Sequence, residues 1–206
     1  MEKEILLYDR ALKLSYFTIG YNILEGIVST VMGMKDETLA LFGFGVDSFI
    51  EVMSGIGIMI MIFRIKRNPL SPKHTFEVAA LKITGYAFYI LSLGLLTGIV
   101  INIINRHKPE TTLWGIIISL ASITVMLWLM TAKRKVGKEL NSEPILCDSG
   151  CTRICVYMSV VLLISSLVYE LAGFAYADSI GAAGLIWFSV QEGREAFEKA
   201  KEGISC

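Results

Sequence analysis

Charge is scarce in this chain of 206 residues: 18% are Asp, Glu, Lys or Arg, against about a quarter in soluble domains. Nineteen basic and nineteen acidic residues cancel, so no bulk positive field is available to hold nucleic acid. A hydrophobic share of 54% excludes a disordered chain, which needs low hydrophobicity and high net charge. Cysteine is scarce too, and its four copies do not form a disulfide framework. Cys147, Cys151 and Cys155 fall within nine residues and the fourth is Cys206, a spacing that suits ligands or helix-packing residues before bridges. Only two histidines occur, His74 and His107, and both fall between apolar runs. A buried cysteine nucleophile would lack a histidine base, so an enzyme is not expected. Lys3 sits among Glu2, Glu4 and Asp9, which is not the clean basic start of a cleavable signal.

What is abundant is apolar sequence of membrane length. About 20 mostly apolar residues cross the hydrocarbon core as a helix, and six stretches qualify, at about 12–34, 39–63, 76–104, 113–131, 145–170 and 174–190. They lack the ten-residue alternation of a membrane barrel. The expected fold is therefore all-α: a polytopic membrane protein with six transmembrane helices in a single transmembrane domain over 1–206. With the N-terminus cytoplasmic, one side holds fourteen basic residues: Lys3, Arg10, Lys13, Arg64, Lys66, Arg67, Lys73, Lys133, Arg134, Lys135, Lys138, Arg194, Lys199 and Lys201. The other side holds three, Lys35, Arg106 and Lys108. Basic residues collect on the cytoplasmic side, so both termini are expected there, in the plasma (inner) membrane. The longest connection on that side is about 133–144.

Charged groups inside a span cost roughly 3 kcal/mol at the helix centre and call for a partner or a task. Those in question are Glu25, Asp47, Glu51, Lys82, Asp148, Arg153 and Glu170. Asp47 and Glu51 are four residues apart, so they share a helix face one turn apart. Two like charges so placed in a low dielectric favour a cation or a proton between them. Cys151 and Cys155 repeat the spacing, and Asp148 and Cys147 lie on the same stripe. Counted from opposite ends of their helices at about 1.5 Å per residue, both pairs approach the midplane. The alternative for each pair is plain packing: hydrogen-bonded acids, or small residues between helices. Together they make a possible four-ligand cage of two carboxylates and two thiols. Four ligands suit zinc, and thiolates shift preference toward soft ions. Arg153 points to another face and is expected to form a buried pair with Glu25 or another acid. Lys82 can snorkel, Glu170 is interfacial, and His74 and His107 read as solvated.

These residues resemble the cation diffusion facilitators. The first helix carries Asn22-Ile-Leu-Glu-Gly-Ile, and the second carries Asp47-Ser-Phe-Ile-Glu51, similar to that family's i, i+4 acidic pair. His74-Thr-Phe-Glu77 is similar to its entry to the third helix. Cys147-Asp148-x-x-Cys151-x-x-x-Cys155 stands where the family has Ala-Asp-x-x-His-x-x-x-Asp, and Ala177-Asp178-Ser-Ile resembles its Leu-Asp-Pro-Ile. The resemblance implies a dimeric six-helix exporter that exchanges a divalent metal for protons, here a short form without the family's cytoplasmic C-terminal domain. It implies Asp47, Glu51, Cys151 and Cys155 as transport ligands, with Asp148 as a supporting or entry residue. No cofactor is expected beyond the transported ion, zinc first, with cadmium, copper(I) or mercury(II) as softer alternatives. Protons, lipid and a second copy of the chain are the expected partners, and nucleic acid is not. A membrane metal sensor that binds without transporting is the rival from another class.

Overall fold

The computed structural model describes residues 2–36, 38–67, 74–105, 108–174 and 176–202. They form six helices: α1 (Glu2–Lys35), α2 (Leu39–Arg67), α3 (His74–Asn105), α4 (Leu113–Leu140), α5 (Glu143–Ala172) and α6 (Ala177–Glu202). No strand occurs among the described residues. Four helices hold long, strongly apolar segments, at Leu39–Arg64, Leu81–Asn105, Leu113–Leu140 and Asp148–Ala172. The helices α1 and α6 are of spanning length, at 34 and 26 residues, but are more polar. Asn22, Glu25 and Ser29 of α1 and Asp178 and Ser189 of α6 are all buried.

The distribution of polarity is inverted relative to a water-soluble bundle. Large apolar side chains face outward along α3, where Ile90 is 71% exposed and Ile104 74%, and on α5, where Leu171 is 83% exposed. Serines 48, 92, 119, 122 and 159 are buried. In water such a surface would be a large aggregation patch; in lipid it is the solvent-facing side, and polar side chains turn inward to bond one another. The chain is an integral, all-α polytopic membrane protein.

Three helix pairs dominate the packing: α1 on α2, α4 on α5, and α3 on α6. The first two pairs join through α1–α4 and α2–α5 contacts, and the α3–α6 pair leans on α2 and α5. Close backbone approach between α1 and α2 requires glycine. A Cβ on Gly45 would lie 2.6 Å from the Thr30 amide nitrogen, and one on Gly33 would lie 2.5 Å from that of Phe42. The main apolar cluster runs through all but α1, with Leu41, Phe44, Leu95, Met158, Leu162 and Leu185 among its fully buried members.

The two ends of the bundle differ. At one end the short connections are stitched together. The Asp178 carboxylate accepts from the amides of Leu39 at 2.9 Å and Ala40 at 3.0 Å, capping α2 across the bundle. Glu110 donates its amide to the Asp36 carbonyl at 3.1 Å, and Thr38 bonds the Thr111 carbonyl at 3.3 Å. Glu170 accepts from the amide and hydroxyl of Thr112, so its interfacial carboxylate serves as the cap of α4. The opposite end carries the basic residues of the last turns of α2, α4 and α6.

Two sequence expectations are corrected here. Residues 133–140 are not a connection but the last two turns of α4, which ends on Asn141 in the left-handed conformation at φ 48°. Lys133 is buried, at 2% exposed, so thirteen rather than fourteen basic residues remain on that side. Arg153 is exposed and lies near Glu192, not paired with Glu25. Lys82 is exposed, as snorkelling requires. His107 and the side chains of His74 and Cys147 lie outside the described residues.

Candidate metal centre

A cavity of about 70 Å³ lies between α2, α5 and the α3–α6 pair. Its wall includes Asp47 and Glu51 of α2, Asp148, Cys151 and Cys155 of α5, and Lys133 of α4, and it extends to Glu192, Glu195 and Lys199 on α6. The lining thus runs from mid-bundle toward the basic end, while the stitched connections lie at the other end.

Each expected ligand lines this cavity, but each is engaged differently. Asp47 is 2% exposed, and its Oδ1 is buried with no hydrogen-bond partner. Glu51 meets Cys155 directly across the α2–α5 interface: the thiol donates to Oε1. Its Oε2 accepts from Asn22 Nδ2 at 2.9 Å. The i, i+4 pairs therefore reach the same depth. Cys151 shares the cavity wall with Glu192 of α6. Cys151 and Cys155 are both free thiols. As these side chains stand, no three His, Cys, Asp or Glu residues among those described converge closely enough to hold a metal ion. Bringing four ligands onto one cation requires the Glu51–Cys155 contact to open.

Asp148 has a partner that sequence reading missed. Lys133 Nζ lies 2.8 Å from its Oδ2 and donates to Thr152 Oγ1 at 3.1 Å. The ammonium is as buried as the carboxylate it neutralises, so neither charge stands alone in low dielectric. The signal was periodicity: Ser122, Met126, Leu129, Lys133 and Val136 form one buried stripe of α4 at helical spacing. Glu25 is likewise satisfied locally, accepting from the Tyr21 hydroxyl at 2.9 Å and Ser48 at 3.1 Å. Glu192 was also missed. It follows the last apolar run, which ends at Val190, and reads there as part of a charged helical tail. It lines the cavity instead.

The amino-acid sequence of this bundle matches a known family. The model described as the cation efflux transmembrane domain matches residues 16–203. The chain belongs to the cation efflux family. It is similar to an uncharacterized transporter of Methanocaldococcus jannaschii, at 26% identity over 174 residues, which is 80% of this chain and 59% of that protein. It is also similar to the cation-efflux pump FieF of Cronobacter sakazakii, at 26% identity over 164 residues, 74% of this chain and 52% of that pump. The chain spans between half and three fifths of the length of these curated relatives.

Proposed function

We propose that this chain carries a divalent metal cation out of the cytoplasm in exchange for protons, with Asp47, Glu51, Cys151 and Cys155 as ligands of the transported ion. The observation that carries the reading is the single cavity that all four line, with Glu51 and Cys155 touching across it. Thiols and neutral carboxyls must lose protons to bind metal, so a more acidic outer side drives release. Asp148, held by Lys133, supports entry rather than filling the first coordination sphere. Alternating access needs one end closed while the other opens. The stitched connections and the cavity that runs to the basic end supply that asymmetry. Zinc is the leading cargo, and the ion works as substrate, not as a catalytic cofactor. The two free thiols favour a softer ion, and cadmium, copper(I) or mercury(II) is the second reading. The site lies in the plasma membrane of a homodimer in this account.

The test is metal flux into proteoliposomes across several ions, with and without a pH gradient. Metal movement that depends on the gradient is expected. Tight binding with no flux would favour a sensor and overturn transport.

Orientation is checked separately. The thirteen-to-three basic bias places the basic end in the cytoplasm. Tags inserted at the Asn141–Ser142 turn and at the C-terminus should both stay unlabelled in sealed cells exposed to an impermeant reagent. Labelling of either tag from outside reverses the topology.

A further inference from the structure

The ligand set above comes from two helices, α2 and α5. The cavity has a third wall, α6, and Glu192 stands on it. Glu192 lines the same cavity as Asp47 and Cys151, from the α6 side. Asp47 is buried, lines the cavity, and keeps Oδ1 without a hydrogen-bond partner. A carboxylate oxygen left so in low dielectric is an acceptor awaiting a donor or a cation. Farther along α6, Glu195 is paired with Lys199 at 2.5 Å.

We propose that Glu192 is a ligand of the transported cation in the state open to the basic end, joining Asp47 and Cys151 from the third wall. This rests on the metal-transport reading of the same cavity. The chemistry is a mixed carboxylate–thiolate set, suited to a borderline or soft divalent ion. It needs no movement of Glu51 and Cys155, which remain bonded to each other until the ion passes deeper. The ion arriving from the basic end displaces the Cys151 thiol proton, which leaves through the cavity mouth. Because α6 belongs to the α3–α6 pair, such a ligand ties the cation to both packing units of the bundle.

The experiment uses the full chain in lipid nanodiscs with cadmium as the probe. It reads affinity and the ultraviolet thiolate-to-cadmium absorption band. Glu192→Gln should weaken cadmium binding ten- to a hundredfold, the range seen on losing a group close to a metal, yet keep the band at saturation. Glu192→Asp should recover part of the loss. Glu198→Gln, the same charge change on the exposed face of α6, should bind like the parent. The cadmium NMR resonance of the saturated site is read in the parent and in Glu192→Gln. A Glu192→Gln loss accompanied by a shifted resonance supports ligation, and one with the parent's resonance overturns it. Parent-like affinity of Glu192→Gln also overturns it. Absence of the band in the parent, or undiminished affinity in Asp47→Asn, removes the metal reading itself and the Glu192 assignment with it.

Discussion

Asp47→Asn should abolish most metal binding while leaving the protein folded. The residue is 2% exposed and its Oδ1 has no hydrogen-bond partner, so a neutral amide of the same shape is no costlier to bury there than the acid. Stability should therefore hold or rise, and a loss of affinity cannot be blamed on unfolding. The substitution removes one anionic ligand and one exchangeable proton. Cadmium or zinc affinity should fall by a hundredfold or so, at or beyond the upper end of what removing a neighbouring support produces. The dependence of the remaining affinity on pH should flatten, since fewer protons are released per ion bound. Isothermal titration between about pH 5.5 and 8 reads both effects. Glu170→Gln, at the α4 cap, should leave both unchanged. An Asp47→Asn protein with the parent's affinity and pH slope would make the acidic pair a packing feature.

The second large effect concerns which ion is held. Cys151→His combined with Cys155→Asp replaces two soft ligands with a borderline and a hard one, and should move the cadmium-to-zinc preference toward zinc by tenfold or more. Cys151 lines the cavity and is only half-buried, which leaves room for an imidazole. Position 155 is tighter, at 5% exposed, and faces Glu51. An aspartate there opposes a carboxylate with a carboxylate, so the empty double variant should melt earlier than the parent. Zinc should restore the difference, because a ligand that binds only the folded form stabilises it. Competition titrations and thermal melts with and without zinc check the two halves. Unchanged relative affinities would place the thiols outside the coordination sphere.

Helix count, chain order and the depth of the two pairs were legible in sequence because they follow from apolar run length and i, i+4 spacing. Two starts were read well, since the second and fourth runs begin at 39 and 113, where α2 and α4 begin, but the first run begins near 12, ten residues inside α1. Ends were read short. The apolar run of α4 stops near 131, but its helix continues to Leu140, since a helix does not end where its side chains become polar. That misplacement hid Lys133, whose burial depends on meeting Asp148 from another helix. Glu192 was hidden for the same reason. A charge at the end of an apolar run reads as solvated unless the neighbouring helix is known. Arg153 failed the other way: distance in sequence carries no information about which acid lies across a bundle.

The Asp178 cap of α2 has a mechanical meaning. It fixes one end of α6 to the start of α2 through two short amide bonds, while Glu192 lies fourteen residues along the same helix. At about 1.5 Å per residue that is a lever arm of roughly 21 Å. Any tilt of α6 pivoted on this anchor grows with distance from it: roughly ten degrees displaces Glu192 by roughly 4 Å, by the same rise per residue. Such a swing exceeds the length of a metal–oxygen bond, so a modest rotation at the anchored end suffices to make or break a ligand contact at the cavity.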